Sequence, residues 1–493
     1  MAEFFDVIVI GAGLSGISAG YYLQKDCPDR SYAILEMRDA IGGTWDLFRY
    51  PGIRCDSDMY SLGFPFRPWP REETIATGDK IREYIEDTAR EFGIDRKIRF
   101  GHKLISANWN SETARWQLVV EQTANGKRVE FEARFVIGCT GYYNYDEGYT
   151  PEFPGREKFK GEFVHPQLWS EDIDHRGKKV VVIGSGATAV TLVPAMAETG
   201  AEVTMLQRSP SYFVTLGRND PIAKVLRKAL PEKPAFDLIR WKNTLMFMAF
   251  YQFCRRFPDQ ARALLKKGVQ AQLGEDFDVE THFNPKYEPW DERVCFVPDG
   301  DFFKSLRSGK AEIVTDTIET FTEKGIRLSS GRELEADMVV SATGLNVVML
   351  GGASATIDGE PFEPSTKYFY RGAMFDDVPN FALVVGYTNA TWTLKVDLVH
   401  QYVCRILNYM REREFDEVRP MLEDPDMQPR ELIEMTSGYI ARVRDQLPKN
   451  GSKMPWKLYQ NYILDRVMLK RARLDDGALR FSRRNAEGRR RAA

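Results

Sequence analysis

The stretch FDVIVIGAGLSGISAGYYL, residues 5–23, decides the fold of this 493-residue chain. Its apolar run at residues 7–10 is typical of a buried strand, and the glycines after it lead into a helical apolar pattern. Gly11, Gly13 and Gly16 form the motif GxGxxG in this strand-turn-helix context. Glycine permits the tight turn, lets backbone N–H groups approach a pyrophosphate and brings the helix close to the strand. The stretch therefore predicts a Rossmann-like dinucleotide-binding domain.

A carboxylate follows the next strand of this unit. The segment SYAILEMR, residues 31–38, carries Glu36 about twenty positions beyond Gly16, where a carboxylate can accept hydrogen bonds from both ribose hydroxyls. The same carboxylate repels a 2'-phosphate, so this first site is predicted to hold FAD or NAD rather than NADP. The alternative for Glu36 is an ordinary solvated strand end.

The same architecture recurs at KKVVVIGSGATAVTLVPAMAETGAEVTMLQRSP, residues 178–210. Its GxGxxA motif is formed by Gly184, Gly186 and Ala189, and its second strand ends at Arg208 and Ser209. A guanidinium can bind a 2'-phosphate bidentately, and a hydroxyl can donate one more hydrogen bond. This second site is therefore predicted to prefer NADPH, with a plain surface arginine as the alternative.

The chain is too long for one hydrophobic core, so several domains are expected. Two further strand-to-glycine turns, in FEARFVIGCTGYYN and ELEADMVVSATGLN, indicate where the chain leaves and re-enters the first domain. Residues 220–273 favour helix. We predict an α/β fold of two Rossmann-like domains, for FAD and NADPH, with a helical insertion in the second. The predicted segments are a first FAD-domain part at 1–143, a linker at 144–175, a first NADPH-domain part at 176–219, the helical insertion at 220–285, a second NADPH-domain part at 286–340, and the remaining FAD-domain part with the C-terminal region at 341–493.

Composition excludes several classes of protein. The formal net charge is only -3, and like charges gather only in the last residues, which argues against nucleic-acid binding. The six cysteines show neither metal-binding nor redox spacing, and the N-terminus lacks a signal-peptide pattern, so a cytoplasmic protein without an integral membrane segment is expected. The apolar window LMFMAFYQFC, residues 245–254, is interpreted as a buried or docking helix, with peripheral membrane association as the alternative.

The stretch between the two nucleotide units carries a more specific signal. In FKGEFVHPQLWS, residues 159–170, the pattern FxGxxxHxxxW is formed by Phe159, Gly161, His165 and Trp169. With a dinucleotide fold on each side, it resembles the fingerprint of type I Baeyer-Villiger monooxygenases, although Ser170 departs from the usual final Pro or Asp. GGTWDLFRYPGIRCD, residues 42–56, matches a second signature of that family in full. The likeness covers nearly the whole chain and is closest to the ethionamide-activating branch.

The resemblance implies the reaction. An FAD-dependent, NADPH-consuming enzyme of this family inserts one oxygen atom of O2 next to a ketone carbonyl through a C4a-peroxyflavin and gives an ester or lactone. Sulfides or thioamides are expected as further small-molecule substrates. A heteroatom-oxygenating flavin monooxygenase without ketone activity is the alternative, and a non-catalytic FAD- and NADPH-binding protein is a remote one.

The resemblance also implies site residues. Arg293 occupies the place of the active-site arginine, and Asp56 that of its carboxylate partner beside the flavin. An arginine suits this role because it keeps its charge at working pH. The remaining cofactor contacts implied for FAD are Ser15, Thr44, Trp45, Asp46, Leu47, Arg54, Cys55 and Leu104, and those implied for NADPH are Ser185, Ala187 and Thr188, beside the motif residues already named.

Three positions stay open at this stage. Relatives often carry a lysine directly before the active arginine, where this chain has Glu292, so NADPH preference would rest mainly on Arg208 and Ser209. Trp392 is expected either at the flavin or nicotinamide pocket or in the core. The linker is expected to be anchored by its aromatic residues and to bend at Gly161. His165 is predicted to hydrogen-bond across the domain boundary, with a purely structural histidine as the equal alternative.

Overall fold

The computed structural model describes residues 2–292, 294–484 and, for the backbone alone, 490–492. These residues form two α/β units, each built around its own sheet. The larger sheet, called here the first sheet, has nine strands: Glu3–Ile10, Tyr32–Leu35, Ile98–Arg99, His102–Asn110, Arg115–Gln122, Lys127–Gly138, Ser354–Ile357, Glu360–Pro361 and Phe381–Leu383.

The parallel part of the first sheet positions the first nucleotide motif. Strand Glu3–Ile10 pairs in parallel with Tyr32–Leu35 on one side and Lys127–Gly138 on the other. Residues 7–10 and 32–35 are buried on both faces, because helices cover one side and an antiparallel meander with its loops the other. The carboxyl ends of the three strands therefore lie side by side.

The second sheet is wholly parallel. In spatial order its strands are Ala311–Thr315, Glu202–Gln207, Lys179–Ile183, Met338–Ser341 and Glu162–Val164. The last of these belongs to the predicted linker, which thus contributes an edge strand to the second unit. The second sheet is thus parallel throughout, whereas the first sheet is mixed, because strands His102–Asn110, Arg115–Gln122 and Lys127–Gly138 pair antiparallel.

Smaller strand groups complete the fold. They are Tyr143–Gly148 with Leu345–Val347, Tyr212–Leu216 with Val294–Pro298, the set Ile318–Phe321, Gly325–Leu328 and Glu333–Glu335, Phe369–Tyr370 with Met374–Phe375, the set Glu417–Pro420, Leu479–Arg484 and Arg490–Ala492, and Pro429–Arg430 with Asn450–Gly451.

The helices cover the sheets and fill the region of the predicted insertion. The α-helices span Leu14–Asp26, Thr44–Leu47, Met59–Leu62, Gly78–Glu91, Ala187–Glu198, Pro221–Ala229, Glu232–Arg256, Pro258–Leu273, Val279–Phe283, Asp301–Arg307, Trp392–Glu412, Gly438–Ala441 and Tyr462–Arg471. Short 3-10 helices span Asp95–Lys97, Arg156–Lys158, Pro166–Leu168, Leu350–Gly352, Pro364–Thr366 and Arg444–Gln446. Four α-helices thus follow one another between strands Tyr212–Leu216 and Val294–Pro298.

The long helix Glu232–Arg256 is anchored to the first unit by a buried arginine. Arg240 is 7% exposed, and its Nη1 donates to the carbonyls of Tyr60, Ser61 and Gly63 at 2.6–2.8 Å. Its Nη2 lies 3.4 Å from Asp397 on helix Trp392–Glu412. Burial raises the pKa of Asp397 to about 7, and the charge of Arg240 opposes that rise. The helical region is therefore packed against the short helix Met59–Leu62, which follows the second family signature.

Candidate functional site

A deep cavity opens at the carboxyl ends of the parallel strands of the first sheet. It contains the first glycine turn, the end of strand Tyr32–Leu35, the segment 42–45 and the loop before helix Trp392–Glu412. The predicted residues that line it are Gly11, Gly13, Ser15, Glu36, Thr44, Trp45, Cys55, Asp56 and Leu104. This edge of a parallel sheet is where open α/β folds bind their ligands.

The first glycine turn accepts no larger residue. Gly11 has φ +101°, and a Cβ there would lie 2.6 Å from the carbonyl oxygen of Cys139. A Cβ on Gly16 would lie 1.8 Å from the carbonyl oxygen of Gly11. Gly13 faces Gly43 across the cavity wall, with 3.5 Å between a Cβ built on the former and the Cα of the latter. The turn keeps a side-chain-free surface at the start of helix Leu14–Asp26, which fits a pyrophosphate.

Glu36 closes the far end of the cavity. Its carboxylate is buried and accepts hydrogen bonds from the backbone N–H groups of Ala12, at 2.7 Å, and Arg38, at 2.9 Å. Burial raises the pKa of Glu36, while these two hydrogen bonds favour the charged form. A carboxylate held in this way keeps lone pairs for the ribose hydroxyls of a dinucleotide. The donor set and the glycine turn together fit FAD.

The family signature at residues 42–56 divides between the cavity and the second unit. Thr44 and Trp45 line the cavity. Asp46 turns away from it and forms ion pairs with Arg38 at 2.6 Å and Arg49 at 2.5 Å. Leu47 packs in the core of the second unit, outside the cavity lining.

The end of the same signature divides in a similar way. Cys55 and Asp56 line the cavity, whereas the Arg54 guanidinium pairs with Asp301 at the start of helix Asp301–Arg307. The predicted partner of Asp56, Arg293, lies outside the described residues. Its neighbour Val294 is 2% exposed and begins a strand of the second unit.

Trp392 combines the two alternatives raised by the sequence. It lines the cavity, and its ring also packs against the core of the first unit. Its indole Nε1 donates to Ser15 Oγ at 2.9 Å, and its ring stacks on Tyr142 with 5.4 Å between centroids. The tryptophan therefore fixes a side chain of the glycine turn from the opposite end of the chain.

Several lining residues were not identified from the sequence. They are Tyr142, Tyr143, Tyr145, Leu350 and Tyr387 among others. Thr140 and Gly141 form a strand-to-glycine turn like those of the nucleotide units. This turn could have indicated that the three tyrosines after it line the cavity. Tyr145 hydrogen-bonds Thr44, and burial raises its pKa to about 12. The tyrosine cluster closes one side of the cavity.

The second nucleotide motif is open. Gly184 has φ +132°, and a Cβ there would lie 2.4 Å from the carbonyl oxygen of Ala342, whereas a Cβ on Gly186 would meet no described atom within 4 Å. Gly186 and Ala187 are exposed at the start of helix Ala187–Glu198, while Ala189 is fully buried. The N-terminus of this helix therefore presents free backbone N–H groups to a pyrophosphate.

The predicted 2'-phosphate residues lie beside this motif. Arg208 and Ser209 are exposed at the end of strand Glu202–Gln207. Ser185 Oγ donates to the carbonyl oxygen of Ser209 at 3.0 Å, which holds the two segments together. Glu292 is half-buried close to Arg208: burial raises the pKa of Glu292, and the arginine charge opposes that rise. The residues fit NADPH, with one carboxylate in a position to oppose it.

The second signature also contacts the second unit. Tyr50 hydrogen-bonds Thr188 in the second nucleotide motif. Gly52 lies against helix Ala187–Glu198, where a Cβ would approach that of Ala195 to 2.6 Å. The segment that contributes residues to the cavity of the first unit is thus packed directly on helix Ala187–Glu198 of the second unit.

The fingerprint stretch joins the two units through specific contacts. His165 Nε2 donates to the carbonyl oxygen of Gly344 at 3.0 Å, while its Nδ1 accepts from Gln167 N at 3.2 Å. Burial lowers the pKa of His165, which favours this neutral form. Gly344 begins the returning segment of the first unit, so the hydrogen bond crosses the predicted boundary.

The other fingerprint residues anchor the stretch. Phe159 is buried and contacts Phe321, with 5.9 Å between ring centroids. A Cβ on Gly161 would lie 2.6 Å from the carbonyl oxygen of Asp337. Trp169 packs in the core of the second unit. Glycine at position 161 is required by close packing, and the predicted bend there stays a prediction.

Within the described part of the chain, no cluster of three His, Cys, Asp or Glu side chains could hold a metal ion. None of the helices described is long and apolar enough to cross a membrane. The six cysteines are buried, and none forms a disulfide within the part of the chain that the structure describes.

Comparisons with known proteins agree with this arrangement. The flavin-binding monooxygenase-like (FMO-like) family model matches residues 6–226. The FAD-containing monooxygenase EthA of Mycobacterium tuberculosis is 53% identical over 487 residues, which cover 99% of each chain. Two solved structures share the fold. A steroid monooxygenase bound to NADP has a TM-score of 0.75 at 22% identity, covering 97% of this chain and 99% of its own. The cyclohexanone monooxygenase of Rhodococcus sp. Phi1 bound to NADP+ has a TM-score of 0.76 at 21% identity, covering 98% and 99%.

Proposed function

The chain belongs to the FMO-like family of flavin-binding, FAD-containing monooxygenases, and from that premise we propose that it is a Baeyer-Villiger enzyme. The predicted fold class and the resemblance to this family are confirmed, as is the assignment as an NADPH-dependent flavin monooxygenase. The proposed reaction consumes NADPH and O2 and inserts one oxygen atom next to the carbonyl of a ketone. Oxygenation of sulfides or thioamides is proposed as a second activity of the same site.

The observation that carries this proposal is the geometry of the fingerprint stretch. His165 hydrogen-bonds Gly344 beside the paired strands Tyr143–Gly148 and Leu345–Val347, through which the chain passes between the two large sheets, and Phe159 and Trp169 are buried on the side of the second unit. The sequence that distinguishes Baeyer-Villiger enzymes from other flavin monooxygenases therefore lies where the two nucleotide folds meet. Such a position supports a role in coordinating the two cofactors.

We propose that the cavity of the first unit holds FAD. The residues assigned to it are Gly11, Gly13, Ser15 and Gly16 at the pyrophosphate, Glu36 at the ribose, and Thr44, Trp45, Cys55 and Asp56 toward the flavin ring. Bound flavin supplies the electrons that activate O2. The protein's part is to exclude water and to hold charge and hydrogen-bond donors in fixed positions.

Asp56 and Arg293 are proposed as the catalytic pair. Asp56 lines the cavity, and its carboxylate would orient and partly neutralise a guanidinium beside the flavin. A fixed cation stabilises negative charge on the reacting oxygen and on the carbonyl oxygen that is attacked. We expect Arg293→Ala to keep its FAD and to lose ester formation; ester formation at the wild-type rate would remove Arg293 from this role.

NADPH is proposed to bind along the start of helix Ala187–Glu198. Gly184, Gly186 and the helix N-terminus would take the pyrophosphate, and Arg208 with Ser209 the 2'-phosphate. Asp46, Leu47 and Arg54 contribute differently from the sequence expectation, because their side chains pack or pair outside the cavity lining. Their proposed role is to hold the signature segment in place.

The deciding experiment offers the purified yellow enzyme NADPH, labelled dioxygen, a linear methyl ketone and a methyl aryl sulfide in separate reactions. Mass spectrometry identifies the products. An ester with one labelled oxygen atom establishes the proposed reaction. Sulfoxide without ester would assign the enzyme to heteroatom oxygenation instead. Hydrogen peroxide as the sole product with both substrates would contradict the proposed substrate classes.

A further inference from the structure

A buried polar triad stands behind one wall of the flavin-side cavity. Tyr387 lines that cavity, and its hydroxyl donates to Asp465 Oδ2 at 2.7 Å. Lys395 Nζ donates to the same oxygen at 2.8 Å. The three residues are 5%, 1% and 5% exposed in the order Tyr387, Asp465, Lys395. Burial and the neighbouring carboxylate raise the pKa of Tyr387 well above its usual value, so its hydroxyl keeps its proton and donates.

The three residues come from separate elements. Tyr387 lies in the loop before helix Trp392–Glu412, Lys395 lies in the first turn of that helix, and Asp465 lies at the start of helix Tyr462–Arg471. Asn461 caps the latter helix by accepting from two backbone N–H groups at 3.1 and 3.2 Å. The C-terminal helix is thereby held in register, and its Asp465 is the only charged partner that the described residues offer to Lys395.

Tyr387 lies at the reactive end of the cavity. The segment that follows it is hydrogen-bonded to the segment that follows Asp56: Thr391 Oγ1 and Ser61 Oγ are 2.7 Å apart, and Thr393 donates to the carbonyl of Leu62 at 2.7 Å. Glu36, which marks the proposed adenosine end, follows strand Tyr32–Leu35, whereas Tyr387 follows strand Phe381–Leu383, on the other side of the central strands. The tyrosine is therefore on the side of the cavity where a substrate must approach the flavin.

Behind Tyr387 lies a second, small cavity. It is lined by Tyr387 together with Lys395, Asp465, Gln460, Leu432 and Leu458 among others. Within the described residues, Asp465 Oδ1 has no hydrogen-bond partner, although the residue is buried. Tyr387 thus stands between the large cavity and this second, mostly apolar space, and its hydrogen bond to Asp465 holds the ring in that place.

We propose that Tyr387 is a specificity-determining residue of the substrate pocket and that Lys395 and Asp465 are positioning residues that hold it, so that the C-terminal helix sets the shape of the pocket. The ion pair fixes the carboxylate, and the carboxylate fixes the phenol. The Tyr387 ring, held in place by Asp465, then limits the size of the substrate group that fits on this side of the pocket. The inference rests on the proposed function, because it assigns the pocket to an organic substrate of the monooxygenase.

The chain offers a matched control. Tyr370 donates to Asp476 Oδ2 at 2.6 Å, and Arg371 donates to the same oxygen at 2.7 Å. In this triad Tyr370 and Arg371 are buried and Asp476 is half-buried, and it also ties the C-terminal region to the first unit. Tyr370 is not among the described residues that line the flavin-side cavity. Variants of Tyr370 and Asp476 therefore measure the general effect of breaking a tyrosine-carboxylate-cation triad that lies away from the cavity.

The test compares Tyr387→Phe and Asp465→Asn with Tyr370→Phe and Asp476→Asn. Each variant converts an asymmetric ketone, which gives two isomeric esters, and a methyl aryl sulfide, which gives two sulfoxide enantiomers. The ratio of the two products does not depend on the amount of active enzyme. We expect the first two variants to shift a product ratio in the same direction by about threefold to tenfold, which corresponds to about 0.6–1.4 kcal/mol. The control variants should keep the wild-type ratios.

Unchanged product ratios in Tyr387→Phe, or equal shifts in the control variants, would overturn the inference. Tyr387→Phe leaves the Lys395–Asp465 ion pair intact, so it decides the matter if Asp465→Asn fails to fold. Wild-type enzyme that forms neither ester nor sulfoxide would overturn the proposed function and this inference with it. Product formed with unchanged ratios would overturn the inference alone.

Discussion

The two nucleotide folds of this chain begin alike and end differently. In each, the first glycine has a positive φ and lies against a strand carbonyl: Gly11 against Cys139 and Gly184 against Ala342. Beyond that point the first motif is enclosed by segments from far along the chain, whereas Gly186 and Arg208 of the second motif are exposed. This difference in enclosure supports the proposal that the first motif retains its ligand and the second exchanges it.

The ribose-binding positions show the same contrast. Glu36 is 4% exposed and held by two backbone N–H groups, so its orientation is fixed before any ligand arrives. Arg208 is exposed, with a half-buried carboxylate, Glu292, nearby. A fixed, desolvated acceptor favours tight and permanent binding, and a mobile cation favours selection among exchanging ligands. We therefore expect the first motif to hold a prosthetic group and the second a co-substrate.

The largest effect on this difference between the two motifs is expected from a substitution of Gly16 in the first motif. In Gly16→Ala the new Cβ would lie 1.8 Å from the carbonyl oxygen of Gly11, so the helix must move away from the strand. Overpacking costs about 1–3 kcal/mol; if that cost falls on the nucleotide site, FAD binding weakens by about fivefold to more than a hundredfold. The flavin-to-protein ratio of the purified variant measures this loss of FAD binding. Gly186→Ala is the control, because its Cβ meets no described atom, and it should purify with full flavin content; a fully yellow Gly16→Ala enzyme would contradict the prediction.

A second, smaller effect is expected at the exchanging site. Arg208→Ala removes a charged hydrogen-bond donor, which is worth about 1.5–3 kcal/mol. We expect kcat/KM for NADPH to fall by about tenfold to a hundredfold while kcat/KM for NADH stays near its wild-type value. Flavin content should not change. An unaltered ratio of the two efficiencies would show that the 2'-phosphate is bound elsewhere.

Glu292→Gln is expected to change the preference for NADPH over NADH in the opposite direction to Arg208→Ala and by a smaller factor. The carboxylate near Arg208 competes with a 2'-phosphate for the cation, so its neutralisation should raise the NADPH preference by about twofold to fivefold, as for a partly exposed ion pair of about 0.5–1 kcal/mol.

The same position predicts a dependence on pH. Burial raises the pKa of Glu292, so as pH falls through that raised value the wild-type carboxylate takes up a proton and loses its opposing charge. The KM values of wild type and variant for NADPH should therefore converge at low pH and separate as pH rises. A constant difference between them across the pH range would exclude titration of Glu292 as the cause.

The smallest expected effect concerns the contact between the two folds. His165→Ala removes the hydrogen bond to Gly344 and the local one from Gln167 N; loss of the former, worth about 1 kcal/mol, should weaken coupling by about fivefold. The measurement is product formed per NADPH consumed, together with the rate of anaerobic flavin reduction. His282→Ala, which loses a hydrogen bond within the second unit alone, is the matched control. Wild-type values of both quantities in His165→Ala would leave this histidine with a structural role.

Local sequence sufficed for those parts of the site that depend on the backbone. The positive φ of Gly11 and Gly184 and the close approach of Gly16 to the strand follow from the strand-glycine-helix order, and Glu36 follows from its distance along the chain. These features need no knowledge of distant segments, since a parallel strand pair brings its own carboxyl ends together.

Side-chain direction could not be obtained in this way. Asp46 turns away from the cavity because Arg38, Arg49 and Arg82 surround it, and Arg54 turns away because Asp301 faces it from the second unit. Tyr387 is held by Asp465, which lies 78 positions further along the chain. A motif gives the order of residues, whereas the partner that each side chain meets is decided by tertiary packing.

The packing of the second signature has a consequence for recombination between relatives. Tyr50 touches Thr188, Gly52 lies on Ala195, and Arg54 pairs with Asp301, so this part of the first unit is shaped to one particular nicotinamide-side surface. A chimera that exchanged residues 176–340 alone would join two surfaces that had never evolved together. The natural module for shuffling includes residues 42–56 as well, although they lie more than a hundred positions upstream.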